Sequence, residues 1–148
     1  MYKVILLGAI SFVASLAVGA DNIQPLNVKP GLWQVTTTMT IQGMGAPQTR
    51  TYKSCVTKQN ANEYPFRDPD KNCKYTVQSS TATHMDVSGN CQYEEGQKAD
   101  FEIQLEVIDS EHAQGSGHLA LVGPQAEMKG DYSGKGKWIA ASCPAGMQ

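Results

Sequence analysis

The chain has 148 residues and a formal net charge of −2, with 12 basic and 14 acidic side chains scattered along it. No run of basic residues builds a nucleic-acid-binding patch. The length suits one domain of ordinary size, large enough to bury a core.

Residues 1–20 read as an address. Lys3 supplies a positive start, residues 4–18 are an apolar run broken only by small residues and two serines, and Ala17-Val18-Gly19-Ala20 offers small residues for cleavage. That is the pattern of a secretory signal peptide, and the run is short for a membrane span. The alternative is an uncleaved N-terminal anchor. Cleavage is expected to leave a single domain over 21–148, with no second apolar stretch long enough to span a membrane. The expected address is periplasmic or secreted.

Residues 29–43 read KPGLWQVTTTMTIQG. Trp33, Val35, Thr37, Met39 and Ile41 share one parity, and Gln34, Thr36, Thr38, Thr40 and Gln42 share the other. This alternation, rich in β-branched residues, predicts a strand with one covered face and one wet face. Gly43-Met44-Gly45-Ala46-Pro47 breaks it as a turn, and a second strand is expected over 49–56. Residues 57–64 are expected as one short helix with Thr57 as N-cap. Pro65 and Pro69 end it, and 67–72 read as loop.

A short strand over 74–78 and a turn over 79–82 follow. Next, Met85, Val87, Gly89, Cys91 and Tyr93 face His84, Asp86, Ser88, Asn90 and Gln92 across a strand. Glu94-Glu95-Gly96-Gln97 is a hairpin turn. Phe101, Ile103, Leu105 and Val107 then alternate with Glu102, Gln104 and Glu106. Asp109-Ser110-Glu111 turns the chain, and 113–122 is a strand thinned by Gly115 and Gly117. After Gly123-Pro124-Gln125, the last strand sets Met128, Gly130, Tyr132, Gly134, Gly136 and Trp138 against Lys129, Asp131, Ser133, Lys135 and Lys137.

The expected fold is therefore mainly all-β. It is an antiparallel meander of about seven strands, curled into a barrel-like or half-barrel sheet, with the short helix near 57–64. Glycines on the inner parity of the last strands favour curling. Gly31-Leu32-Trp33 is similar to the G-x-W that opens lipocalin barrels, which supports the same curl.

Four cysteines in an exported chain imply disulfides. Three pairings are possible; Cys55–Cys73 with Cys91–Cys143 is favoured, since the first closes the least regular segment and the second ties a central strand to the chain's end. The cysteine spacings of 18, 18 and 52 residues, with no CxxC, do not fit a zinc site. Asp68, Asp70 and Asn72 begin like a calcium loop, but Cys73 stands where glycine is needed and Ser79 where the glutamate belongs. Met39, Met44, Met85 and Met128 suit packing better than a soft metal. Ser116 and His118 share a wet face without a G-x-S-x-G elbow or an identifiable orienting group. His84, His112 and His118 read as surface histidines. No cofactor or metal is expected.

"KPGLWQVTTTM", "QTRTYKSCVT" and "GKWIAASC" resemble an exported bacterial family known as domain of unknown function 3617, over roughly residues 28–143. Members usually carry glutamate where this chain has Gln34. The resemblance implies a periplasmic or secreted bacterial protein, and it brings no activity, cofactor or site residues.

The expected function is a non-catalytic binding module for a small apolar ligand, held inside the curled sheet at a mouth formed by Trp33, Tyr132 and Trp138. The alternative is an envelope protein-interaction or structural module that uses a free sheet edge. An enzyme is not expected, because no nucleophile, base and orienting group can be assembled.

Overall fold

The computed structural model describes residues 23–69 and 72–147, and the expected signal peptide lies outside them. Seven strands follow in chain order: β1 (Gly31–Ile41), β2 (Gln48–Val56), β3 (Cys73–Ser80), β4 (His84–Gln92), β5 (Lys98–Asp109), β6 (His112–Val122) and β7 (Glu127–Ala140). They form one antiparallel sheet in the order β2-β1-β7-β6-β5-β4-β3. The mainly β reading and its count of seven strands hold. The sheet does not close into a barrel: β2 and β3 are its two edges.

Alternation explains which face is covered. Trp33, Val35 and Ile41 of β1 are buried while Gln34 and Thr40 are exposed, and Met85, Val87 and Cys91 of β4 alternate with exposed Asp86 and Gln92 in the same way. Burying one face of such strands removes the apolar side chains from water and leaves the threonines and charges wet. On the covered face, large side chains lie over glycines of the neighbouring strand. Phe101 pairs with Gly89, Leu105 with Gly115 and Tyr132 with Gly117. A Cβ at Gly89 would run into the Phe101 ring, so the glycine is what lets that ring lie flat on β4.

Two irregular segments cover what the sheet leaves open. Residues 23–30 form a strap across one end. Gln24 N–H donates to Ser80 C=O (3.3 Å), Asn27 N–H to Ala82 C=O (2.7 Å) and Lys29 N–H to Ser110 C=O (2.8 Å). Leu26 and Val28 enter the core from this strap. The β2–β3 connection drops Tyr64 and Phe66 onto the covered face, where both are almost fully buried.

The first correction concerns that connection, which is a series of turns rather than a helix over 57–64. Thr57 does cap, but only a single turn: Asn60 N–H donates to Thr57 Oγ1 (3.1 Å), and Thr57 N–H donates to Asn60 Oδ1 (2.8 Å). Tyr64 then adopts a left-handed backbone at φ 52°. Pro65 disfavours helical dihedrals in the residue before it, and burial of Tyr64 and Phe66 outweighs one turn's helical propensity.

The second correction concerns the disulfides. They join Cys55 to Cys143 and Cys73 to Cys91, not Cys55 to Cys73 and Cys91 to Cys143. Cys55 and Cys73 flank the same connection, yet β2 and β3 lie at opposite edges of the sheet. Cys73 instead sits directly across from Cys91 in the β3–β4 register. Leu32 is the register partner of both Cys55 on β2 and Ala140 on β7, so the chain just beyond β7 reaches Cys55 over β1.

Candidate functional site

Three successive same-parity positions of β2 anchor the connection. Ser54 Oγ donates to Pro65 C=O (2.6 Å), and Tyr52 OH donates to Phe66 C=O (2.8 Å). Arg50 pairs with the buried Asp68, its Nε 3.2 Å from Oδ2. The period-two side-chain spacing of a strand makes this ladder, and it holds residues 65–68 against the covered face.

Beneath that segment lies a cavity of about 50 Å³. Its walls include Tyr52, Tyr64, Tyr75, Tyr93 and Tyr132, with Phe101, Met39 and Asp68. Every tyrosine among the described residues lines this one space, although they come from β2, the connection, β3, the β4–β5 turn and β7. Tyr64 and Tyr75 have ring centroids 4.7 Å apart at 50°, and Tyr75 and Phe101 5.6 Å apart at 52°. The three rings are therefore inclined facets rather than a stack. The cavity communicates with the surface, since Tyr93 is 40% exposed.

Burial is the main cause that pushes the phenols of Tyr52, Tyr64, Tyr75, Tyr93 and Tyr132 above their ordinary range. The Asp68 carboxylate adds to the rise at Tyr52, Tyr75, Tyr93 and Tyr132. The phenols are thus neutral near pH 7, and the space they enclose disfavours added negative charge.

Of the expected mouth residues, only Tyr132 reaches this cavity. Trp33 is 0% exposed, in edge contact with Phe66 at 5.1 Å. Its indole N–H donates to Lys29 C=O (2.8 Å). Trp138 is its register partner on β7, and its indole N–H donates to Pro30 C=O (3.1 Å). Lys29 Nζ sits 3.6 Å above the Trp138 ring and 2.7 Å from Glu111 Oε1. The two tryptophans thus clamp the strap, about 20 Å along β7 from Tyr132 at ordinary strand rise. Sequence reasoning missed Tyr52, Tyr64, Tyr75, Tyr93, Phe101 and Asp68. One signal was available: six tyrosines against three phenylalanines in the chain, an excess of hydroxyl-bearing rings where a plain core would use phenylalanine.

The wet face has wider open hollows, of about 590, 600 and 740 Å³. Their charged groups are solvated. His118 Nδ1 lies 2.9 Å from Asp131 Oδ1, and both are largely exposed. Among the described residues no hydrogen bond joins Ser116 to His118, and no group of three or more His, Cys, Asp or Glu side chains is placed to hold a metal ion. No helix of the described residues is long and apolar enough to cross a membrane.

Residues 28–143 match the family described as Protein of unknown function (DUF3617), and the chain belongs to that family. No curated protein and no solved structure matches the chain.

Proposed function

We propose that the chain is a non-catalytic binding module whose site is the tyrosine-lined cavity on the covered face of the open sheet. The observation that carries this reading is the convergence of five tyrosines from five segments on one space that is still open at Tyr93. A pure core would be filled there. Drug-sized ligands occupy roughly 300–1,000 Å³, so a space of about 50 Å³ takes one end of a ligand and leaves the rest outside. Met39, Ala99 and Leu119 line the same space and give that ligand an apolar wall. The reading leaves catalysis aside, since Ser116 and His118 share no hydrogen bond among the described residues. The oxidised cysteine pairs fit an exported setting, and we place the protein in the periplasm or outside the cell.

The test is to compare native and denatured masses of the protein as purified. A small mass carried only in the native spectrum is the expected result. A bare native protein that also takes up nothing from a small-molecule extract of the source cells overturns the reading. A second reading, addition of a partner strand, rests on β2 and β3, the edge strands of the sheet among the described residues. Charged Arg50 and Lys53 on edge strand β2 discourage such pairing.

A further inference from the structure

Resting on the binding reading above, we infer that the cavity recognises a methylated ammonium headgroup. The walls include five phenol rings and one phenyl ring, and the charged residue among the lining side chains is the acid Asp68. Aromatic faces carry negative quadrupole density and attract a cation within about 6 Å of their centroids. Quaternary ammonium groups profit most, because they offer diffuse charge on an apolar surface and need no hydrogen-bond acceptor.

Three features favour that occupant over a plain hydrocarbon or an anion. First, the rings crowd one space. Tyr75 is inclined at about 50° to both Tyr64 and Phe101, so the three rings are not stacked on one another and leave room between them for a compact cation. Gly89 fixes one facet, because a Cβ there would displace the Phe101 ring. Secondly, the space is small. About 50 Å³ holds a few heavy atoms, which suits a headgroup and leaves no room for an acyl chain. Thirdly, the charge has the right sign. Asp68 lies in the wall, while its partner Arg50 is absent from the lining and its side chain is 46% exposed. An anion would meet Asp68 and find no lysine or arginine in the wall.

The headgroup chemistry is shared by free choline-like solutes and by choline lipids. Calorimetric titration of the protein distinguishes them with three probes: choline, its neutral isostere with carbon in place of the ammonium nitrogen, and a short-chain phosphatidylcholine below its micelle concentration. The expected result is that choline binds roughly tenfold tighter than the neutral isostere. Tighter binding of the lipid than of choline supports the proposal with a lipid source, and choline binding alone supports it with a free solute. Equal binding of choline and its isostere overturns the cation proposal while leaving an apolar binding module standing. Failure of all three probes also overturns it, and the native mass comparison then decides the broader reading separately. Tyr93 is half-open to solvent, so its variants should fold: Tyr93→Leu should weaken choline several-fold and Tyr93→Phe should not, since phenylalanine keeps the ring face. Equal loss in both variants overturns the ring-face assignment.

Discussion

Gly31 has a backbone only glycine adopts freely, at φ 135°. A Cβ there would run into the Ala140 carbonyl and come within 2.8 Å of the Trp138 indole nitrogen. The glycine therefore lets the two tryptophans donate to the consecutive carbonyls of Lys29 and Pro30. Gly31→Ala should cost about 1–3 kcal/mol, read as a lower urea midpoint with unchanged slope. The phenols make a second prediction. Each of the five is raised above its ordinary value of 10.0 in the folded chain. Above that pH the unfolded chain loses phenol protons that the folded chain keeps. The unfolded state then binds fewer protons, so stability falls as pH rises. Stability should be unaffected by these groups below about pH 9 and should fall steeply above pH 10. Tyrosinate absorbance should appear together with unfolding in an alkaline titration. Phenols titrating freely near 10 in the intact fold would contradict their burial.

Each strand owes its place to alternation, and alternation was plain in the sequence. Trp33 to Ile41 and Phe101 to Val107 reveal their covered faces without any knowledge of their neighbours. The disulfide partners were not accessible in that way. They depend on which strands become neighbours, and the pairing of β1 with β7 joins residues about a hundred positions apart. The same holds for the cavity. Tyr52, Tyr64, Tyr75, Tyr93 and Tyr132 lie on separate elements, and only the curl of the sheet and the return of residues 64–68 bring them together. Trp33 and Trp138, expected at a ligand mouth, prove to be register partners whose indoles hold the strap at Lys29 and Pro30, and that too depends on which strands become neighbours. The two bridges should differ in worth. Cys55–Cys143 spans 88 residues and Cys73–Cys91 spans 18. Chain entropy assigns them about 4–5 and about 3 kcal/mol respectively. Paired serine replacements compared by denaturation should rank in that order; the reverse ranking would mean that folded-state effects outweigh loop closure.

The entire architecture hinges on β7. It stands between the β1–β2 hairpin and the β3–β6 meander, and among the described residues no other strand pairing joins them. A chain ended at Pro124 should retain two separate sets of strands and no shared core. Such a truncation should give no cooperative thermal transition, whereas a chain that still melted cooperatively would show that the strap and the connection suffice. Nonlocal closure of this kind also makes folding slow, on the order of milliseconds to seconds.

The nesting of the disulfides has a consequence for how the protein is made. Chains are synthesised from the N-terminus, and Cys55 meets Cys73 and Cys91 long before Cys143 exists. Oxidation in order of appearance would trap Cys55 with the wrong partner. The native bridge between Cys55 and Cys143 can form only after the last strand has been delivered. Maturation must therefore either wait for the complete chain or pass through reshuffling by thiol exchange, a process of seconds to hours without help. In this molecule the longer bridge is a mark of completion, and a disulfide isomerase is the helper whose loss its yield should feel most.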